Sequence, residues 1–342
     1  AGAAVVLYFM GLLDAYSRLV FFYFLLIDCI LMLIVHQLWK KCLPSLYRIF
    51  RESRKTLLVA DDVFAVPLVM DMKNFKDKVV IVTGASLGIG EAMAREFAAQ
   101  GARVVLGARS VQKLQLIAGE IRSQGGQAAY CGVDVTNVDE CRRLIETAVN
   151  EFGGIDVLVC NAGLSMRAIF DDVDLGVLHR LMDVNFWGTV NCCKFALPYL
   201  QRSRGSIVGI SSVAGLHGLP GRTGYSASKY AMTGFLETLR IENLKKHLHV
   251  MIACPGFTAS NVRFSALTAD GSAQGETPRN EAKMMTPEQV ARIVARGVLK
   301  RKRLCLMENE GRATHFVKKF APGFLDRMFY LVMSKEPDSP LK

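Results

Sequence analysis

Paired cysteine motifs are missing from this chain of 342 residues. Its nine cysteines include no Cys-x-x-Cys pair and no regular spacing, which argues against a disulfide framework and against a zinc site. Several of them fall in apolar stretches that predict core strands or helices. We therefore expect free, buried thiols in a reducing compartment. The nine are Cys29, Cys42, Cys131, Cys141, Cys160, Cys192, Cys193, Cys254 and Cys305.

Nucleic-acid-binding motifs are also missing, although the formal net charge is +11. The basic residues collect beside apolar ones instead, as at Lys40, Lys41, Arg48 and Arg51. Such a stretch is typical of a helix on an anionic membrane surface, and it places the domain that follows on the cytosolic, matrix or stromal side. We expect membrane lipid, and no nucleic acid, as a partner.

A removable secretory signal is not indicated, because the apolar N-terminus has no preceding basic region and no small-residue cleavage site. The run from residue 19 to 35 approaches the roughly 20 residues that span a bilayer. We expect residues 1–38 to form a single-pass anchor and residues 39–76 a basic amphipathic linker. The endoplasmic reticulum is favoured over a mitochondrial or other organellar membrane.

Four polar residues interrupt the predicted anchor and lie on one side of a continuous helix: Asp14, Arg18, Asp28 and His36. A carboxylate in mid-span is costly in lipid. Two explanations remain open. The stripe packs against a membrane helix of a second copy or of another protein, or the segment is bent or interfacial and its polar groups reach the headgroups.

A glycine-rich turn follows the short apolar run Val79-Val80-Ile81-Val82 and reads Thr83-Gly84-Ala85-Ser86-Leu87-Gly88-Ile89-Gly90, with a helix-like segment after it. This order predicts a phosphate cradle, because the N–H groups at a helix N-terminus bind anions. Gly84 permits the tight turn, Gly88 lets a pyrophosphate approach, and Gly90 allows close packing of the helix.

Tyr225 and Lys229 are four residues apart in Tyr-Ser-Ala-Ser-Lys and share one helix face. The ammonium would lower the pKa of the phenol toward working pH, and Ser212, 13 residues upstream, would hold a substrate oxygen. By itself the pair also fits a solvated lysine beside a half-buried tyrosine. With the glycine turn, it predicts proton transfer at a carbonyl or alcohol.

With these motifs the chain resembles the classical short-chain dehydrogenase/reductase family. The family's Thr-Gly-x-x-x-Gly-x-Gly turn is matched from Thr83 to Gly90. Its Asn-Asn-Ala-Gly motif is matched from Cys160 to Gly163, with Cys in place of the first Asn. The resemblance covers residues 77–257 and extends loosely to about residue 310. The tail and the Tyr225 region look most like the membrane-bound dehydrogenase/reductase member 7 group.

The resemblance implies a catalytic tetrad of Asn185, Ser212, Tyr225 and Lys229. Tyr225 would be the general acid or base, Lys229 would also bond the nicotinamide ribose, and Ser212 would orient the carbonyl oxygen. Asn185, on a predicted helix, would hold a water that relays protons. The cofactor contacts that it implies are Gly84, Ser86, Gly88, Ile89, Gly90, Asp134, Val135, Asn161, Ala162, Gly163, Tyr225, Lys229, Pro255, Gly256 and Thr258.

The end of the second predicted strand indicates which dinucleotide binds. Ala108 stands where an acidic residue would bind a ribose 2′-OH, and Arg109 and Ser110 follow it. An arginine at this place favours a 2′-phosphate. We therefore expect NADP(H) in preference to NAD(H).

Strand-like runs alternate with helical patterns along the rest of the chain, without low-complexity segments or internal repeats. This alternation predicts a doubly wound parallel α/β sheet of the Rossmann type, which follows the N-terminal membrane helix in the sequence. The NADP-binding domain is expected over residues 77–310 and an amphipathic tail over 311–342. The predicted strands are 79–82, 104–106, 128–133, 157–160, 207–210, 250–254 and 304–307.

Two further segments bear on the substrate. Residues 261–286 are polar and rich in small residues, and the family resemblance makes them a substrate lid, although a surface insertion also fits. In the tail, phenylalanines alternate with lysines in a pattern that predicts either a second membrane-surface helix or a core or dimer-interface helix.

Together these features predict a membrane-anchored, NADPH-dependent oxidoreductase that interconverts a lipophilic ketone or aldehyde and its alcohol, such as a steroid, retinoid or long-chain lipid. The alternative is a structural subunit of a membrane complex that binds nucleotide with little turnover. Co-purification with membrane proteins and no turnover on carbonyl compounds would favour that alternative.

Overall fold

A computed structural model describes residues 23, 26, 27, 30, 74–259, 265–275, 284–335 and 339–341. The chain forms two compact units, Ala1–Met72 and Lys73–Lys342. In the first unit, the four described residues are helical and exposed. The other residues of the predicted anchor, its polar stripe, Cys29, Cys42 and residues 39–73 of the basic linker lie outside the described residues. Among the described helices, none has the length and apolarity that crossing a membrane requires.

A parallel sheet forms the centre of the second unit, in the order β3-β2-β1-β4-β5-β6-β7. Its seven strands confirm the seven predicted ones to within two residues at each end. They are β1 Val79–Thr83, β2 Arg103–Ala108, β3 Gln127–Gly132, β4 Val157–Cys160, β5 Ser206–Ile210, β6 His249–Cys254 and β7 Leu304–Leu306.

Nine α-helices of the second unit surround or follow this sheet in its described part. They are α1 Gly88–Ala99, α2 Val111–Ser123, α3 Val138–Phe152, α4 Leu175–Met182, α5 Gly188–Ser203, α6 Thr223–Glu242, α7 Pro287–Leu299, α8 Asn309–Val317 and α9 Pro322–Ser334. A π-helical turn, Asp183–Trp187, joins α4 to α5, and short 3₁₀ turns lie at Val213–Gly215 and Leu244–Lys246.

The core lies in two layers because successive side chains of a strand point to opposite faces of the sheet. Val80 and Val82 pack with α1, α2 and α7 on one face. Val79 and Ile81 pack with α3, α5 and α6 on the other. The central strands are apolar throughout because both of their faces are covered.

The strand order reverses beside β1, which pairs with β2 on one side and β4 on the other. In open parallel sheets, ligands bind in the crevice at the carboxyl ends of the strands at such a reversal. The glycine turn leaves the end of β1, and the segment Cys160–Gly163 includes the end of β4. The topology therefore brings both sequence motifs to one crevice.

The predicted borders of the domain fall inside packed structure. Phe75, assigned to the linker, is buried, and its ring meets that of Phe97 edge-on at 4.8 Å between centroids. At the other border, α8 begins at Asn309 and continues past residue 310. The tail therefore forms two helices. Leu325 and Met333 of α9 are buried, whereas Phe316 of α8 and Phe320, in the turn between the helices, are exposed.

Candidate active site

The glycine turn has the geometry that its sequence predicts. Gly84 and Gly88 have φ of +65° and +58°, a region in which side chains are strained. A Cβ at Gly90 would overlap the carbonyl oxygen of Gly84, so only glycine lets α1 approach the turn this closely. Leu87 precedes α1 in extended conformation, and its side chain makes no capping bond to the described chain. The first N–H groups of α1 are thus available to an anion.

A hydrogen-bond network ties the glycine turn to the turn after β4. The Thr83 hydroxyl accepts hydrogen bonds from the backbone N–H groups of Asn161 and Ala162, at 2.9 and 3.0 Å. The Asn161 side-chain amide donates to the carbonyl oxygens of Thr83 and Gly84, at 2.9 and 3.3 Å. The two turns are therefore held as one rigid wall of the crevice.

Cys160 stands where the family has its first Asn, and its thiol is buried, with Sγ 4.0 Å from Sγ of Cys193. This contact with Cys193 and the buried surroundings raise the pKa of Cys160 well above its ordinary value. A thiol of this kind is unreactive at neutral pH. The departure from the family motif therefore changes packing behind the turn. All seven described cysteines are free, and six of them are buried, as the sequence predicts.

Ser212, Tyr225 and Lys229 line one cleft of about 990 Å³ together with the glycine turn. Ser212 follows β5, and its hydroxyl accepts a hydrogen bond from the Ala214 N–H at 3.2 Å and contacts the Tyr225 hydroxyl. The Lys229 Nζ donates to the carbonyl oxygen of Ile210 at 2.8 Å and lies 5.8 Å from the centre of the Tyr225 ring. The three residues thus form one cluster.

Electrostatics in the cluster differ from the prediction in one respect. Burial raises the pKa of Tyr225 above its ordinary value, and the Ser212 hydrogen bond and the Arg222 charge only oppose this shift. Burial also lowers the pKa of Lys229, to about 8. The expected lowering of the Tyr225 pKa by Lys229 is therefore wrong for this structure, because desolvation dominates and Lys229 is itself weakened as a cation.

Asn185 lies in the π-helical turn, fully buried behind the cleft. Its side chain accepts a hydrogen bond from the Leu164 N–H at 2.8 Å and donates to the Leu164 carbonyl and to the Ser228 hydroxyl, at 2.9 and 2.8 Å. Ser228 in turn donates to the Tyr225 carbonyl at 2.8 Å. Asn185 therefore braces the β4 turn against α6, and its role in a proton relay stays a prediction.

Ser228 is a positioning residue that the sequence analysis missed. It is fully buried and connects Asn185 to the backbone of Tyr225. The available signal was its place inside the Tyr-Ser-Ala-Ser-Lys segment, one residue before Lys229 and one turn after Tyr225. The tetrad of the family resemblance is thus joined by a fifth polar side chain.

The residues predicted to select the cofactor lie at the far end of the same cleft. Ala108, at the end of β2, is buried, whereas Arg109 is exposed and lines the cleft beside Ser110. Ser110 is the N-cap of α2, but its hydroxyl makes no capping bond to the described chain. Every other residue predicted for the cofactor also lines this cleft, and Asn185 is the predicted site residue that does not.

The C-terminal helices form the opposite end of the cleft, where Phe329 and Met333 of α9 lie near Leu219. They are held to the loop after Ser212 by His217, whose Nε2 lies 3.3 Å from the Asp326 carboxylate and whose ring stacks on Phe329 at 5.1 Å. Sequence reasoning missed His217, because nothing in its local pattern indicates a partner more than 100 residues away.

The predicted lid is described for residues 265–275 and 284–286. Leu267 is buried and forms a parallel bridge with Met166, while Ser265, Ala266 and Gln274 line the cleft. This part is irregular chain, as predicted, and it touches the substrate end of the site. Residues 260–264 and 276–283 lie outside the described residues.

A glycine turn at a helix N-terminus and a Ser-Tyr-Lys cluster line one cleft at the carboxyl ends of a parallel sheet. This combination is characteristic of a dinucleotide-dependent oxidoreductase. The chain belongs to the short-chain dehydrogenase family, since the sequence model of the family described as "short chain dehydrogenase" matches residues 78–270.

Named relatives agree with this assignment. The chain is 34% identical over 272 residues to "11-beta-hydroxysteroid dehydrogenase A" of Sesamum indicum, which covers 78% of each chain. It is 31% identical over 260 residues to "Dehydrogenase/reductase SDR family protein 7-like" of Dictyostelium discoideum, over 74% of this chain and 81% of that one. The sequence resemblance to the family, including the member 7 group, is thus confirmed.

A solved structure shares the fold. It is an alcohol dehydrogenase of the archaeon Thermococcus sibiricus complexed with 5-hydroxy-NADP. The TM-score is 0.57 at 28% sequence identity, and the match covers 67% of this chain and 94% of the archaeal chain. The doubly wound architecture described above is therefore that of a known dehydrogenase.

We predict that Lys229→Met changes how stability depends on pH in the cofactor-free protein. The Lys229 pKa is about 8 in the folded chain against 10.5 ordinarily, so between these values the unfolded chain binds more protons and wild-type stability rises with pH. Below pH 8 the protonated, buried lysine costs about 3 kcal/mol. In urea unfolding, the free energy of unfolding of Lys229→Met minus that of wild type should therefore be largest at pH 7 and smallest at pH 10.

The exposed Lys194→Met variant is the matched control and should follow the wild-type profile. The tyrosines and cysteines are common to all three proteins, so the difference isolates Lys229. A Lys229→Met minus wild-type difference that is equal at pH 7 and pH 10 would contradict the account.

Proposed function

We propose that the chain is an NADPH-dependent carbonyl reductase that is attached to a membrane. It reduces a lipophilic ketone or aldehyde to its alcohol. The observation that carries this proposal is the clustering of Ser212, Tyr225 and Lys229 in the cleft that the glycine turn opens. The glycine turn supports a bound pyrophosphate, because Gly84 and Gly90 let the two turns and α1 pack closely: a Cβ at either would collide with Asn161, Ala162 or the Gly84 carbonyl. This packing leaves the first N–H groups of α1 at the cleft.

The roles of the side chains follow from their contacts. NADPH would supply the hydride, held by the glycine turn and by Lys229. The Ser212 hydroxyl is placed to donate a hydrogen bond to the substrate carbonyl oxygen, and the Tyr225 hydroxyl is placed to give it a proton. Because burial raises the Tyr225 pKa, the phenol stays protonated at neutral pH. A protonated phenol suits reduction better than oxidation.

NADPH is favoured over NADH by Arg109, which lines the adenosine end of the cleft at the position after Ala108. An apolar Ala108 offers no carboxylate to a ribose 2′-OH, and a guanidinium there complements a 2′-phosphate. The solved relative was crystallised with an NADP derivative, 5-hydroxy-NADP.

A lipophilic substrate is favoured by the walls at the substrate end, which include Leu164, Leu219, Phe329 and Val332. Apolar walls with few polar groups are typical of sites for hydrophobic small molecules. Several relatives carry the name 11-beta-hydroxysteroid dehydrogenase, which is in line with a bulky apolar carbonyl compound.

Membrane attachment is proposed through residues 1–38, with the catalytic unit on the cytosolic side of the endoplasmic reticulum in preference to another organelle. The C-terminal helices offer a second contact: Phe316, Phe320 and Phe324 are each more than 60% exposed. Basic residues accompany these rings, as in helices that lie on anionic bilayers.

We predict that Tyr225→Phe abolishes reduction while NADPH binding remains. Removing the proton donor should lower kcat by about 100-fold or more. NADPH oxidation by the detergent-purified protein, measured against steroid, retinoid and long-chain ketones and aldehydes, checks this. Tight NADPH binding by wild type with no turnover on any carbonyl compound would contradict the reductase and favour the structural subunit of a membrane complex.

We predict that Arg109→Asp reverses the cofactor preference. The ratio of kcat/KM with NADPH to that with NADH should fall about 100-fold, because a carboxylate repels the 2′-phosphate and accepts from a 2′-OH. Arg292→Asp makes the same charge change at an exposed position of α7 outside the cleft and should leave the ratio unchanged. Equal efficiency of the wild type with both cofactors would count against the assignment.

We predict that the protein contacts the membrane at two places, residues 1–38 and the C-terminal tail, which can be tested separately by deletion and by mutation. The full chain should float with vesicles and resist alkaline extraction. A chain that lacks residues 1–72, and with them both the predicted anchor and most of the basic linker, should float only with anionic vesicles, and Phe320→Glu with Phe324→Glu should release it. If the deletion variant fails to float with vesicles of every lipid composition tested, the tail is not a membrane contact. If alkali extracts the full chain from the membrane, residues 1–38 are not an anchor.

A further inference from the structure

A half-buried arginine in the cleft has no acidic partner among the described residues. Arg222 is the N-cap of α6, three residues before Tyr225, and it lines the same cleft. Its backbone is fixed by a parallel bridge with Ala168 and by a hydrogen bond from its N–H to the Leu219 carbonyl at 3.2 Å. The base of the side chain is therefore held in place beside the catalytic tyrosine.

The guanidinium is held by one of its three nitrogens. Nη1 donates to the Ser165 hydroxyl at 2.8 Å and to the Met166 carbonyl at 3.3 Å, and both acceptors are neutral. Nε is buried and has no acceptor in the described part of the chain. The hydrogen bonds of the described residues leave Nη2 without an acceptor as well. Because Nε is closed to solvent and Nη2 is not among the buried unpaired atoms, Nη2 is the nitrogen that a ligand in the cleft can reach. A guanidinium N–H is a strong donor to a carboxylate.

The charge of Arg222 is likewise uncompensated. The ion pairs of the described residues include none at Arg222, and burial lowers the pKa of its guanidinium while the nearby Arg167 lowers it further. Arg180 also lines the cleft. A buried cation without a counter-charge is costly, and an anion supplied by a ligand removes that cost.

We propose that Arg222 binds a carboxylate of the substrate through Nη2. This inference rests on the proposed function and narrows its substrate class. Because Arg222 is only three residues from Tyr225, the carboxylate and the carbonyl group that Tyr225 protonates are separated by a few carbon atoms. The remaining chain of the substrate lies along the apolar wall formed by Leu219, Phe329 and Val332. The substrate is a lipophilic oxo acid.

The test compares 4-oxododecanoate and 5-oxododecanoate with their methyl esters. Wild type should reduce at least one acid with a kcat/KM about 10- to 100-fold above that of its ester, as for a hydrogen-bonded charge pair. Arg222→Gln should bring this ratio close to one. Arg222→Lys, which keeps the charge but lacks the planar guanidinium and its Nη2 donor, should give an intermediate ratio.

Arg180→Gln is the matched control, because it removes the same charge from an exposed position of the same cleft. It should change the acid-to-ester ratio by less than about threefold, as for a screened surface charge. A wild-type ratio near one for both oxo acids overturns the proposal. A fall in the ratio with Arg180→Gln as large as with Arg222→Gln also overturns it, because the preference would then reflect general positive charge.

A binding measurement separates this inference from the proposed reductase activity. Calorimetric titration with dodecanoate and with dodecanol, in the presence of NADP⁺, needs no turnover. Dodecanoate should bind wild type more tightly than dodecanol. The ratio of the Kd for dodecanol to the Kd for dodecanoate should fall about tenfold in Arg222→Lys. If neither oxo acid nor ester is reduced while this preference holds, the reductase fails and the carboxylate site stands. If Arg222→Gln does not fold, the wild-type and Arg222→Lys ratios decide.

Discussion

The hydrogen bonds between Thr83 and the turn at Asn161 are the constraint on which the rest of the site depends. They join the end of β1 to the end of β4, where the strand order of the sheet reverses. The glycine turn and the cofactor-selecting end lie on one side of this joint. Asn185, held to Leu164 just beyond the same turn, links it through Ser228 to α6, which carries Tyr225 and Lys229, on the other side. A shift of this joint would move both halves of the site together.

Desolvation sets the chemistry of the cleft. It raises the pKa of Tyr225 and lowers the pKa values of Lys229 and Arg222, and Arg222 has no acidic partner in the described part of the chain. Each shift reflects a charge that burial disfavours. The proposed anionic cofactor beside Lys229 and the proposed carboxylate beside Arg222 would offset this cost, and the neutral Tyr225 phenol can donate to the proposed carbonyl oxygen. In this proposal the unliganded site gives up stability for ligand binding, in keeping with the usual exchange of stability for function.

Sequence predicts the fold well because the central strands are buried on both faces, so that runs such as Val79–Thr83 are apolar at every position. It also predicts the residues that line the cofactor end, since the glycine turn and the Tyr-x-x-x-Lys pair are local patterns. It does not predict what depends on burial and on distant contacts. Three features arise from residues that only folding brings together: the raised pKa of Tyr225, the link between His217 and Asp326, and the unpaired Nε of Arg222.

The central claim is that a hydride passes from NADPH to a carbonyl carbon in the cleft while Tyr225 protonates the oxygen. The most direct measurement uses NADPH that carries deuterium at C4 of the nicotinamide, with mass spectrometry of the alcohol formed from a lipophilic ketone. The account predicts one deuterium on the carbinol carbon of the product, made by wild type and not by Tyr225→Phe. An alcohol without deuterium from either C4-labelled form of NADPH, or equal labelling by both proteins, would contradict it.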